Sequence, residues 1–132
     1  MAYMDWKDHY SVENPLIDRQ HQALFALVNE VADKVKAGNM PEIRGVIDRL
    51  AAYTVEHFRD EEAILRKAGY AALKDHEMIH AELLEKVQDL RTKLEKNQAV
   101  SMVGIIRFLS DWLKDHILQD DMAYKSSIKG IG

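Results

Sequence analysis

Apolar residues recur at steps of three and four through most of this chain, in four separate runs. The first passes through Ile17, His21, Leu24, Val28, Val31 and Val35. The second takes Ile43, Ile47, Leu50, Thr54, His57, Glu61, Ile64 or Leu65, and Ala68. The third takes Leu73, His76, His80, Leu83, Val87, Leu90 and Leu94, and the fourth Val103, Ile106, Leu109, Leu113 and His116. Such steps keep residues on one face of a helix, so each run predicts an amphipathic helix. The punctuation agrees. Asp18 reads as the first N-cap, Gly38 as a stop, and Asn39 with Glu42 around Pro41 as a capping box. Gly45 costs the second helix about 1 kcal/mol of propensity and leaves room for packing. Gly69 ends that helix, and Lys96-Asn97-Gln98 separates the third run from the fourth. Four helices of roughly 20–27 residues with short connections make neighbours antiparallel. The expected fold is all-α, an up-down-up-down four-helix bundle. Residues 1–17 lack the period and read as an extended N-terminal arm, with Trp6 and Tyr10 packed over the bundle. The tail after Tyr124 is expected to fray. No linker, solenoid repeat or low-complexity stretch divides the chain, so residues 1–132 are read as one domain.

The stripes are not purely apolar. Five of the six histidines lie on them, with Glu61 four residues after His57 and Asp120 and Asp121 four and five after His116. A straight helix would carry the last stripe to Asp120, because Asp121 lies about 140° from His116 at 3.6 residues per turn. Antiparallel neighbours bring His21, His57-Glu61, His76-His80 and His116-Asp121 to the same end of the bundle. Burying imidazoles and carboxylates is costly unless each is satisfied. Separate hydrogen bonds could account for one or two such residues but poorly for seven. A metal centre accounts for all of them. Seven donors exceed one tetrahedral zinc, while two metals bridged by two carboxylates use them well. Imidazole dominance disfavours calcium and magnesium, leaving iron, manganese and cobalt. His9 lies off every stripe beside Asp8 and Tyr10 and is expected to be a bystander.

Composition narrows the picture further. The 132 residues are 47% apolar and 30% charged, with a net charge of −4 and a pI near 5.8. No basic face dominates, which argues against nucleic acid as a partner. No apolar run approaches the ~20 residues of a membrane span. The N-terminus lacks a basic start and an apolar h-region. The absence of cysteine excludes disulfides, thiolate sites and cysteine nucleophiles, and fits a reducing compartment. A soluble cytoplasmic monomer is expected.

The order His21, His57-Phe58-Arg59-Asp60-Glu61-Glu62, His76-x-x-x-His80, His116-Ile117-x-x-x-Asp121-x-x-Tyr124 resembles the hemerythrins. Trp6 and Ile17-Asp18-Arg19-Gln20-His21 are similar to the single-domain bacterial branch, the bacteriohemerythrins. The resemblance covers nearly the whole chain and fills all seven ligand positions. It implies a non-haem di-iron site (Fe2+/Fe3+, oxo- or hydroxo-bridged) that binds O2 reversibly. His76, His80 and His116 would hold one iron, His21 and His57 the other, and Glu61 and Asp121 would bridge. One iron is then six-coordinate and the other keeps a position open for a small ligand. Choosing Asp121 over Asp120 implies a helix irregularity near residues 117–121, such as a π-bulge. The chain departs from the family at Glu13-Asn14-Pro15, where a glycine is common.

Three functions compete. An O2 carrier or store, a binding protein rather than an enzyme, comes first. A di-iron oxidase or peroxidase of ferritin-like type would use four glutamates and two Glu-x-x-His pairs. Here five imidazoles face two carboxylates, and fewer anionic donors favour reversible binding. An O2 sensor would need a signalling partner. Leu113 above all, with Phe25, Phe58 and Trp112, is a candidate for lining a dry O2 pocket. Met78 and Met122 read as gap-fillers. Arg59, Asp60 and Glu62 are expected to be solvated.

Overall fold

The computed structural model describes residues 4–96 and 101–128. Four helices account for most of them: α1 (Pro15–Ala37), α2 (Met40–Ala68), α3 (Leu73–Glu95) and α4 (Met102–Asp115). A 3-10 turn at Asp8–Tyr10 precedes them. α4 runs straight on into a π-helical turn at His116–Asp121 and a 3-10 turn at Met122–Tyr124. α2 packs against both α1 and α3, and α4 packs against α1. The result is the antiparallel bundle that the stripes predict. Among the described residues no helix is long and apolar enough to cross a membrane.

The helix ends follow the local chemistry, with corrections. α1 starts earlier than expected, and its N-cap is Asn14, whose side chain accepts from the Ile17 amide at 3.1 Å ahead of Pro15. Asp18 sits one turn inside. Its carboxylate accepts instead from Ser11 Oγ at 2.6 Å and the Val12 amide at 2.9 Å, and so ties the arm to the helix. Gly38 and Gly69 both take φ 69° and stop α1 and α2 in left-handed geometry. Only half of the expected capping box forms. Asn39 accepts from the Glu42 amide at 3.1 Å, but the Glu42 carboxylate pairs with Lys34 at 3.2 Å. Ser101 caps α4 through the Gly104 amide. The expected break at Asn97-Gln98 falls outside the described residues.

The fourth stripe is out of phase at its start. Val103 is 65% exposed and Ile106 half-buried, while Ile105, Leu109, Trp112 and Leu113 form the inner face. Met102, Val103, Ile105 and Ile106 are all apolar, so two registers fit the first turn and the pattern does not choose. Met78 is also exposed rather than filling a gap, whereas Met122 packs between the two apolar clusters.

Those clusters bracket one end of the bundle. The larger runs through all four helices, including Val31, Ile47, Leu50, Leu90, Ile105 and Leu109, and takes in Met4 and Tyr10 from the arm. The smaller joins Val12, Ile17, Ile64, Leu65, Tyr124 and Ile128. Ile128 is only 1% exposed, so the chain stays folded for four residues past Tyr124 instead of fraying there. The arm is anchored by Asn29, which bonds the Met4 backbone through both amide atoms. Trp6 adds edge contact with Phe25 at 5.4 Å. At Glu13 the arm turns in left-handed geometry, φ 59°.

Candidate metal centre

Between the two clusters lie seven polar side chains, all buried. α1 supplies His21, α2 supplies His57 and Glu61 one turn apart, and α3 supplies His76 and His80 one turn apart. His116 and Asp121 come from the π-helical turn. Its wider winding moves the five-residue step onto one face, which a straight helix would not do. Asp121 therefore points inward, and the structure has the irregularity implied near residues 117–121.

Each carboxylate divides its two oxygens between two groups of histidines. Glu61 Oε1 lies 2.6 Å from His76 Nε2 and 3.0 Å from His80 Nε2. Its Oε2 lies 3.1 Å from His57 Nε2 and 3.5 Å from His21 Nε2. Asp121 Oδ1 faces His116 at 3.1 Å and His76 at 3.2 Å, and Oδ2 faces His21 at 3.0 Å. The donors thus form two sets, His76, His80 and His116 in one and His21 and His57 in the other, with Glu61 and Asp121 common to both. Nε2 of His21, His57 and His116, Glu61 Oε2 and both Asp121 oxygens are buried without a hydrogen bond among the described residues. Buried polar atoms are rarely left so. A pair of cations shared by the two carboxylates would satisfy all six, so the donor set fits two metal ions.

The far nitrogens of three rings are held from behind. His57 Nδ1 meets Gln20 Oε1 at 2.7 Å, His80 Nδ1 meets Glu62 Oε2 at 2.7 Å, and His116 Nδ1 meets Asp120 Oδ2 at 2.9 Å. The Gln20 amide nitrogen in turn donates to Asp60 at 2.8 Å, which leaves Gln20 Oε1 as the acceptor toward His57. Facing acceptors, these Nδ1 atoms keep a proton, so Nε2 is the nitrogen that would give its lone pair to a metal once its own proton leaves. Glu62 and Asp60, expected to be solvated, are therefore supports of the centre. Asp120, which the straight stripe favoured, supports it too. Gln20, which the sequence offers only as part of the motif before His21, takes on a supporting role that no spacing signals.

The hemerythrin HHE cation-binding domain model matches residues 13–127. A bacteriohemerythrin from Methylococcus capsulatus is 34% identical over 94% of this chain and 95% of its own. The chain belongs to the hemerythrin family. A myohemerythrin from Riftia pachyptila is 30% identical over 93% of this chain and 92% of its own. A solved wild-type hemerythrin superposes with a TM-score of 0.89 at 33% identity, covering 98% of this chain and 100% of that one. The resemblance read from the histidine spacing and the N-terminal arm holds over the whole hemerythrin fold.

Electrostatics in this hemerythrin chain show how strongly the two carboxylates act. Burial works against a charged His21, but Asp121 and Glu61 outweigh it and raise its pKa to about 9. His76 rises to about 9 against the same burial, through Asp121 and Glu61. Burial opposes a charged His116 as well, but Asp121, with Asp120 adding to it, raises its pKa to about 10. At His57 burial prevails over Glu61 and the pKa falls. Burial would raise Glu61, yet the four imidazoles around it hold it well below the usual carboxylate range. Asp121 is likewise depressed, by His116 and His21 against its burial and the charge of Glu61. Burial, then Asp121 and Glu61, push Tyr124 well above an ordinary phenol. Without metal, protons on the imidazoles supply the positive charge that the carboxylates demand.

A narrow packing gap, with no room to seat a water molecule, adjoins the centre. Leu24, Phe58, Leu83, Trp112 and Leu113 line it, together with His21, His57 and His116. Phe58 also stacks flat on His80, ring centroids 3.7 Å apart. The Trp112 indole N–H donates to the Leu83 carbonyl at 3.2 Å and so is not turned on the gap. Phe25 is not among the lining residues. It packs with Trp6 and Tyr10 under the arm, because the arm's aromatics claim that side of α1. His9 lies against Tyr10, their rings tilted by 34°, away from the centre.

Proposed function

We propose that this chain binds dioxygen reversibly, as a carrier or store, at a pair of iron ions. The observation that carries the reading is the division of Glu61 and Asp121 between two unequal histidine sets, with an apolar-walled gap against His21, His57 and His116. His76, His80 and His116 would hold one ion, His21 and His57 the other, and the two carboxylates would be shared. When bound, a ferrous pair supplies the electrons that dioxygen draws on and returns as it leaves.

The chain's own part is positioning and exclusion. Gln20, Glu62 and Asp120 orient three imidazoles through Nδ1, which presents neutral Nε2 donors without a search for the right tautomer. The two-histidine set has one protein donor fewer, so the free position falls on that side. Both histidines of that set, His21 and His57, border the apolar gap, against one of the other set, His116. Leu24, Phe58, Leu83 and Leu113 bring no acidic or hydroxyl group to it, so a gas admitted as these side chains give way meets apolar walls that hold no standing water. Five imidazoles against two carboxylates leave the ions less stabilised in the ferric state than a glutamate-rich set would, which favours release over oxidation.

The test is to load the protein with ferrous iron anaerobically, count the metal, then admit and withdraw O2 while recording the visible spectrum. Two irons per chain and full spectral recovery under vacuum are expected, with azide competing for the same position in the oxidised protein. Leu113→Asn should keep both irons and autoxidise faster. Uptake of O2 with stoichiometric release of peroxide and no recovery would replace the carrier by an oxidase.

A further inference from the structure

The two halves of the centre are supported differently. Behind the three-histidine set stand two carboxylates, Glu62 on His80 and Asp120 on His116. Behind the two-histidine set stands one neutral amide, Gln20 on His57, and the Asp60 charge lies one residue further out. His21 Nδ1 is buried with no acceptor among the described residues. A carboxylate that accepts from Nδ1–H makes the opposite nitrogen more basic, and charge-assisted hydrogen bonds are stronger than those to an amide. The electron-donating support is thus concentrated on the half that already has more donors.

Taking the two-ion reading as given, we propose that the centre consists of one tight and one exchangeable metal position. The His76, His80 and His116 position fills first, and the His21 and His57 position fills last and empties first. Glu62, Asp120 and Gln20 act as positioning residues that set this gap, over and above the difference in donor number. The arrangement suits the function: the ion that must keep a free position is the one left less firmly held. Glu62 and Asp120 keep 22% and 29% of their side-chain surface exposed, so solvent screens their direct field on a metal ion. Their influence passes mainly through the hydrogen bonds.

The experiment titrates the iron-free protein with cobalt(II) under anaerobic conditions, with a competing chelator to extract both constants. Nδ1–H proton signals report which position fills. The first equivalent is expected to move the His80 and His116 signals and the second that of His57. Glu62→Gln should weaken the tighter constant about tenfold, the low end for loss of such a partner, and leave the looser one in place. Gln20→Glu combined with Asp60→Asn, which keeps a donor facing the new carboxylate, should tighten the looser constant about tenfold. Two equivalents with constants that neither variant moves would overturn the proposal and leave donor number as the whole cause. A first equivalent seen at His57 would overturn it as well. Only one equivalent in total, on a normally helical protein, would overturn the two-ion reading and the proposal together.

Discussion

At the end of the bundle away from the centre, the four helices meet through Val31, Ile47, Leu90 and Ile105. At the other end the same four elements meet through His21, His57, His76 and His116-Asp121. Apart from the π-helical turn at His116–Asp121, both ends are helix packed on helix, yet they are stabilised in opposite ways. The apolar end gains about 25 cal/mol per Å2 removed from water and needs nothing further. The polar end loses hydration and regains it only when its orphaned atoms find a cation, a proton or a metal ion. One end holds the fold, and the other is held by it. The outer cluster of Val12, Ile17, Leu65, Tyr124 and Ile128 completes the enclosure, so the centre is apolar-walled on both sides.

The largest expected effect is that of metal itself. With free iron a thousandfold above its dissociation constant, loading should raise the unfolding free energy by about 4 kcal/mol or more. Urea melts with and without chelator measure this. Glu61→Gln should abolish the gain, because its carboxylate is common to both donor sets, while circular dichroism still reports a helical bundle. Equal melts for the loaded and iron-free protein would erase the distinction between the two ends.

Next comes pH, on the iron-free protein. His21 and His76 at about 9 and His116 at about 10 stand above the unfolded value of ~6.5. Their stabilisation is fully present below that value and is lost as pH rises through 9 to 10. Glu61 and Asp121 are depressed, so their contribution is present above ordinary carboxylate pKa values and is lost in acid. His57, pushed down by burial, adds to the acid loss. Iron-free stability should therefore peak between about pH 5 and 6.5 and fall on both sides. Loading should remove the alkaline fall, since the ions replace those protons, and acid should then strip the metal. An iron-free curve flat from pH 6 to 10 would contradict the cluster's ionisation.

Leu50→Ala probes the other end. Leu50 is fully buried in the larger cluster, so the cavity left behind should cost about 2–5 kcal/mol. The loss should be the same with and without iron, and metal content should stay at two per chain. A metal-dependent loss would mean that the ends are coupled.

How much of this was legible in the sequence divides along the same line. The apolar periodicity carried the helices, their antiparallel order and the gathering of His21, His57, His76, His80 and His116 at one end, because spacing alone determines which face a residue occupies. Choosing Asp121 over Asp120 needed the family pattern, since only the π-helical turn makes that position point inward. Asp60 and Glu62 read as solvated, Gln20 only as part of the motif before His21, and Asp120 as the end of the straight stripe, because a hydrogen bond to the back of a histidine leaves no period in a sequence. The same held for Asn14 against Asp18: both are good caps, and Pro15 was the sign that the helix starts earlier.

The smallest effect lies in the arm, at Glu13. Glu13 occupies left-handed backbone geometry, φ 59°, where a side chain costs about 1–2 kcal/mol and glycine does not. Its carboxylate lies 3.6 Å from Lys125, but both groups are well exposed, so the pair returns little. The strain persists because its neighbours determine the path: Val12 is buried in the outer cluster, and Asp18 holds the Val12 amide and Ser11. Glycine relieves the strain but gains freedom in the unfolded chain, so Glu13→Gly should stabilise the protein by no more than about 1 kcal/mol. Glu13→Val should destabilise it by at least about that much, because a β-branched residue tolerates this region poorly. Neither change touches the donor set, so metal content and the visible spectrum should match the parent protein. If Glu13→Gly also speeds autoxidation, the outer cluster is gating solvent to the centre, and the arm belongs with the polar end rather than with the scaffold.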